Sequence, residues 1–167
     1  MTIDTLFGPE EVPAPKPRSI KLKTIKAVYQ NMTVSDTITD YLKPNTRYTS
    51  ASQVFDTFSF LRHETKEHFI ALHLDGKNRV VCIDMVSTGS LNQSIVHPRE
   101  LYKTALLSSA AAVILIHNHP SGDPTPSTED LEVTRRLREA GELLGIRILD
   151  HIVIGETYYS FTERGHI

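Results

Sequence analysis

One run of residues limits the folds open to this chain more than any other: "AAVILIH" at 111–117, apolar without a break until its closing histidine. A short continuous apolar run bounded by polar turns predicts a strand buried on both faces. Such a strand needs a layer of structure on each side, and the flanking segments can supply them. "SASQVFDTFSFLR" places Val54, Phe58 and Leu61 on one helical face. "HPRELYKTALLSSA" predicts a helix with Pro98 in its first turn. "STEDLEVTRRLREAGELLG" predicts another, with Val133, Leu137, Ala140 and Leu144 along one stripe and Gly145 as its stop. "EHFIALHLDGKNRVVCIDMVS" reads as a hairpin turning at Asp75-Gly76-Lys77-Asn78, "IRILDHIVIG" as a further strand, and "TYYSFTERG" as a last strand or turn. The fold class is α/β: a mixed β-sheet flanked by helices.

The regular pattern occupies residues 46–167. Residues 1–45 read as an arm and extension, because "MTIDTLFGPEEVPAPKPRS" holds four of the nine prolines and has no periodicity. After it, Lys16, Arg18, Lys21, Lys23 and Lys26 follow one another with no acid between them. They suit an edge strand protected by lysines or, alternatively, an arm that contacts nucleic acid. The whole chain of 167 residues carries a net charge of −2, which gives no support to nucleic-acid binding over its entire surface. The single cysteine, Cys82, sits in "VVCIDMV" and reads as a core residue in a reducing compartment. With no signal sequence and no apolar run of membrane-spanning length, the expectation is a cytoplasmic protein without a membrane partner.

The chemistry concentrates in "HNHPSGDPTPSTED", residues 117–130. Side chains two apart on a strand share a face, so His117 and His119 can aim two imidazoles at one point. The loop that follows carries three prolines and one glycine, which limit its freedom before it delivers Ser127 and Asp130 to the next helix. Two histidines and one carboxylate make three ligands of a zinc ion and leave a fourth position open. Ser127-x-x-Asp130 also fits a plain capping box, and Asp123 in the loop rivals Asp130 as third ligand. Glu129 points another way around the helix, toward solvent. A hydrolytic site also needs a base, for which Glu64, Glu67, Asp84, Glu100 and Asp150 are all available, and spacing alone does not choose among them. His97 suits a helix cap. His151 follows Asp150, so the pair could orient other groups, although a core role is the simpler reading. His63, His68, His73 and His166 belong to no pattern.

His117-Asn118-His119-Pro120 with Ser127 and Asp130 resembles the JAMM signature of JAB/MPN-domain metalloproteases. Within that family "HNHPSGDPTPS", "NQSIVHPRELYKTAL" and "LLGIRILDHIVIG" resemble the bacterial RadC-like proteins, often labelled DNA repair proteins. The likeness runs from about residue 45 to about residue 165. The helix-hairpin-helix region of full-length RadC-like chains has no counterpart here, where the proline-rich arm and basic stretch stand instead.

The resemblance implies a cytidine-deaminase-like sandwich and Zn2+ ligation by His117, His119 and Asp130. It also implies Glu67 as general acid/base, and a Ser127 hydroxyl that helps hold the water or the developing oxyanion. Asn118, on the opposite strand face, need not touch the metal. The implied activity is a zinc-dependent peptidase or isopeptidase acting on an unidentified peptide or protein. The alternative is a DNA-repair or recombination accessory protein whose metal site is structural or vestigial. Oligomeric state cannot be read from the sequence.

Overall fold

The computed structural model describes residues 26, 28–30, 46–89 and 96–167. The expectations for the N-terminal arm and for the basic stretch before Lys26 fall outside the described residues.

Five strands form one mixed sheet. Helix α1 (Ala51–Phe58) continues into a 3-10 turn (Ser59–His63) and is followed by β1 (Glu67–Leu74) and β2 (Val80–Gly89). Helix α2 (Pro98–Leu107), β3 (Ala112–Asn118), α3 (Thr128–Leu144), β4 (Arg147–Ile154) and β5 (Tyr158–Ser160) complete the order. The sheet runs β2-β1-β3-β4-β5. Every neighbouring pair is antiparallel except β3 and β4, which are parallel and joined through α3. A parallel pair needs a crossover of this kind, since a tight turn cannot return the chain to the starting edge.

β3 is the central strand, and all seven of its residues are buried, as its unbroken apolar run requires. Ile114 and Ile116 pack with Ile70, Leu72 and Ile152 beneath Val54 and Phe58 of α1. Val113 and Leu115 pack with Phe69 and Ala71 beneath Leu101 of α2 and Leu137 of α3. Burying each such side chain contributes about 1.5–3 kcal/mol, so the two half-cores hold the central strand from both sides. The hairpin turn falls where the sequence places it. Asp75 Oδ1 accepts hydrogen bonds from the backbone N–H groups of Lys77 and Arg79, and Asn78 takes the left-handed conformation with φ 58°. His97 caps α2 as expected, its Nδ1 accepting from Arg99 N–H.

The stripe predicted for α3 needs correcting. Val133 and Leu137 are buried, but Ala140 is only half-buried and Leu144 is 45% exposed. The buried line instead runs through Asp130, Val133, Thr134, Leu137 and Gly141. Gly141 lies where a side chain would collide with the Ile146 carbonyl and the Tyr102 hydroxyl. That hydroxyl donates to Leu137 O across 2.7 Å, so α2 and α3 approach too closely for any other residue. Cys82 also departs from its expected place: it is half-buried rather than in the core. No helix among the described residues is long and apolar enough to cross a membrane.

Candidate metal centre

The two histidines leave the end of β3 one residue apart in the alternation. His117 is the penultimate residue of the strand; His119 lies just past it, still held in line by its N–H donating to Ile154 O at 2.8 Å. The helix that follows begins at a capping box. Ser127 Oγ accepts from Asp130 N–H at 3.1 Å, and Asp130 Oδ2 accepts from Ser127 N–H at 2.7 Å and from its hydroxyl at 2.6 Å. The cap and the ligand reading of Asp130 are therefore not rivals. One carboxylate closes the helix end and at the same time faces both imidazoles.

His117 Nε2 lies 3.0 Å from His119 Nε2 and 3.3 Å from Asp130 Oδ1, and His119 Nε2 lies 3.4 Å from Asp130 Oδ2. A tetrahedral zinc ion with bonds of about 2.0–2.1 Å separates its ligand atoms by about 3.3–3.4 Å. The three side chains thus fit the ion in donor type and in spacing, and they form the cluster among the described residues able to hold a metal. Burial is close: His117 is fully enclosed, Asp130 is 2% exposed and the His119 side chain 14%.

The electrostatics point the same way. Burial pushes the Asp130 carboxyl up, but hydrogen bonds with His117 and His119 outweigh it and hold the acid far below the usual carboxylate range. His119 is raised, chiefly by its hydrogen bond to Asp130 against the opposing effect of burial, with the Asp123 carbonyl and the charges of Asp130 and Glu67 adding to it. The Asp130 carboxylate thus stays ionised among buried imidazoles, where its charge is balanced by a proton on His119 or by another cation.

Asp123 does not join the cluster. Its carboxylate accepts from Thr125 N–H, while its main-chain carbonyl accepts from His119 Nδ1 at 2.8 Å and orients that ring. The candidate bases separate as clearly. Asp84 accepts from the Thr104 hydroxyl, Glu100 from Lys103, and Asp150 from Ser160 Oγ and from the main chain of His151 and Thr162. Glu64 stands 3.7 Å from His68. Glu67 begins β1, two residues before Phe69, where the pairing with β3 ends opposite His117, and it is near enough to His119 for its charge to raise that imidazole. It also lines a cleft of about 390 Å³ with Thr65, Lys66, Thr88, Gly89 and Pro120. Glu129 is exposed, as expected.

Two residues contribute more than their spacing announced. Asn118, between His117 and His119, projects to the opposite sheet face. It accepts from His68 N–H at 2.8 Å and donates to the carbonyls of Lys66 and Leu61 at 3.0 and 3.1 Å. It thereby clamps the backbone on both sides of Glu67. His151 is fully buried against Phe69 and Phe161, and its ring contacts neither oxygen of the adjacent Asp150. Its Nε2 lies 2.8 Å from His117 Nδ1, and its Nδ1 2.6 Å from Thr134 Oγ1. The alternation of strand side chains signals Asn118; the partners of His151 come together only in the folded sheet.

Comparison with known proteins agrees with this architecture. The profile of the RadC-like JAB domain matches residues 48–166. The UPF0758 protein of Pelobacter propionicus is 63% identical over 121 residues, covering 71% of this chain and 53% of the relative. That of Geotalea uraniireducens is 60% identical over 121 residues, with the same coverage of 71% and 53%. The UPF0758 protein of Methanosarcina mazei is 46% identical over 149 residues, covering 88% of this chain and 64% of the relative. The chain spans about half the length of the two bacterial relatives. The matched span begins before α1 and runs through every element that builds the cluster, and on that ground the chain belongs to the RadC-like JAB domain family.

Proposed function

We propose that residues 46–167 form a zinc-binding unit, with residues 1–45 as an appended arm, and that its metal serves hydrolysis of an amide bond in a peptide or protein. The observation that carries this is the convergence of His117 Nε2, His119 Nε2 and Asp130 within 3.0–3.4 Å of one another. Zinc, when bound, polarises a carbonyl and brings the acidity of water close to neutral pH. Glu67, near His119 and on the cleft, takes a proton from the attacking water and returns it to the leaving amine. Asn118 holds the backbone on either side of Glu67 and so fixes where that carboxylate begins. Ser127 stabilises the developing oxyanion once its hydroxyl lets go of Asp130 Oδ2, a release that a competing cation on the carboxylate favours.

A second reading has its own support. The cluster is almost closed to solvent, and the Ser127 hydroxyl is committed to Asp130. The three ligands leave a fourth coordination position, so this reading rests on burial and on the committed hydroxyl rather than on a complete ligand set. In this reading the metal stiffens an accessory protein of DNA repair or recombination, and the Lys16–Lys26 stretch meets phosphates.

Elemental analysis of wild type beside His119→Ala tests the metal. Zinc near one per chain, lost in the variant, supports the site; no zinc even after it is supplied rejects it. Peptide-library cleavage by the zinc-loaded protein, abolished in Glu67→Gln with the metal retained, supports hydrolysis. Absence of cleavage, with DNA binding that weakens steeply with salt and vanishes when residues 1–26 are deleted, favours the accessory reading instead.

A further inference from the structure

The proton positions around His151 can be followed from one end to the other. Thr134 Oγ1 donates to the carbonyl of Asp130 at 2.6 Å, one turn earlier in α3. A hydroxyl has a single hydrogen, so at its 2.6 Å contact with His151 Nδ1 the same oxygen accepts. His151 therefore carries its proton on Nδ1. The ring is completely enclosed between Phe69, Phe161 and His117, where a second proton would bury an uncompensated charge. Its Nε2 is then a bare acceptor, and at 2.8 Å it accepts a hydrogen bond from His117 Nδ1–H. His117 Nε2 is left with a lone pair, facing His119 Nε2 and Asp130. His119 Nδ1 faces the Asp123 carbonyl, which can only accept, so that nitrogen also carries a proton. With His117 Nε2 bare, the hydrogen of the 3.0 Å contact between the two Nε2 atoms comes from His119 and is what a metal would displace.

We propose that Thr134 and His151 are positioning residues: a relay running from the Asp130 carbonyl through Thr134 and His151 fixes His117 in the tautomer that presents Nε2 to a metal. The inference rests on the metal-binding reading above. The circuit begins and ends in one residue. The main chain of Asp130 sets the direction of the relay, and its carboxylate stands beside the nitrogen the relay lays bare. Without the Thr134 hydroxyl the direction is no longer enforced. His151 can then carry its proton on Nε2 and donate to His117 Nδ1, which places the His117 proton on the nitrogen the ion needs. Partners of this kind behind a ligating histidine typically contribute 10–100-fold in metal affinity.

The experiment compares wild type, Thr134→Val and Thr134→Ser. Valine keeps the shape and removes the hydroxyl; serine keeps the hydroxyl and removes the methyl. Zinc affinity is read by competition with a chromophoric chelator, and melting of the zinc-free proteins reports packing. The expected result is a loss of about 10–100-fold for Thr134→Val and near-wild-type affinity for Thr134→Ser. Nitrogen-15 NMR of histidine-labelled, zinc-free wild type should show His151 protonated at Nδ1, with that preference lost in Thr134→Val. Unchanged zinc affinity in Thr134→Val overturns the relay, as does a wild-type His151 protonated at Nε2. Equal losses in both variants, matched by equal drops in melting temperature, overturn it in favour of packing. Wild type that binds no zinc rejects the metal reading itself, a result separable from the relay because the NMR pattern is read without metal.

Discussion

Two buried histidines stand on neighbouring strands, and only one of them belongs to a cluster able to hold a metal. His117 pairs with Phe69 at one end of the β1–β3 ladder, and His73 pairs with Val113 toward the other. Both rings are fully buried, and both have a carboxylate in the neighbourhood. At His73, however, Nδ1 meets Ser108 Oγ at 2.8 Å and Cys82 Sγ at 3.3 Å, while Nε2 has no hydrogen-bond partner. Asp84 beside it is taken up by the Thr104 hydroxyl. Burial pushes the Cys82 thiol up, away from the thiolate a metal requires. Residue types that could bind metal are thus present at both ends. What distinguishes the His117 end is convergence: an i, i+2 pair supplies two ring nitrogens on one face, and a helix start supplies the carboxylate opposite them. At the His73 end β2 also supplies two groups two residues apart, Cys82 and Asp84, but the thiol is held protonated by burial and the carboxylate is engaged by Thr104, so no three ligand atoms face one point.

The largest expected effect tests that distinction directly. His119→Ala should lose its zinc, a greater effect than the roughly 10–100-fold expected for outer partners, whereas His73→Leu should retain it near one per chain. Metal loss in both variants would erase the comparison. Next comes Asn118→Leu, which strands one amide and two carbonyls around Glu67. A cost of about 2–4 kcal/mol in chemical denaturation is expected, and less than about 1 kcal/mol would mean that water replaces the side chain.

A pH series sharpens the contrast further. Burial lowers the pKa of His73, and that of His151 well below the usual value. Below about pH 6.5 the unfolded chain therefore binds more protons than the folded one at these two positions. Their contribution makes stability rise with pH, and it is lost as pH falls through this window, by up to about 1.4 kcal/mol per unit for each ring. His119 has the opposite sign. Its pKa is raised, so the stability it adds is present below about 6.5 and lost as pH climbs through its folded value. Denaturation of zinc-free protein at pH 5.5 and 7.5 should show the acid loss. His73→Leu should flatten it, and an unchanged slope would mean that His73 titrates normally. The smallest effect belongs to Ser127→Ala, which removes the cap hydroxyl at a cost of about 1 kcal/mol with zinc retained. Zinc lost along with the hydroxyl would make Ser127 a support of the ligand set.

What could be read from the sequence was local. The unbroken run at 111–117 predicts a strand buried on both faces, and the turn at Asp75–Asn78 predicts the hairpin; the structure has both. The cluster was legible because its parts lie within fourteen residues and obey strand alternation and helix capping. Bringing Glu67 near His119 needed the pairing of β1 with β3, which no spacing in one segment encodes. His151 reads from the sequence as a core histidine and is one, but its ring partners, His117 and Thr134, come from a neighbouring strand and a helix and leave no mark in the local sequence. The stripe of α3 went astray at Leu144 because a 3.6-residue period ignores the close approach of Tyr102, which demands glycine at 141.

The capping box carries one more consequence. Asp130 Oδ2 receives two hydrogen bonds from Ser127, and both oxygens of that carboxylate face the imidazoles. Whatever the ion draws from this carboxylate is drawn from the helix terminus as well. Occupancy of the centre is therefore written into the local opening of the first turn of α3, and the amide protons of Ser127 and Asp130 become its reporters. Hydrogen exchange at those two positions would register the arrival of metal before any substrate is known.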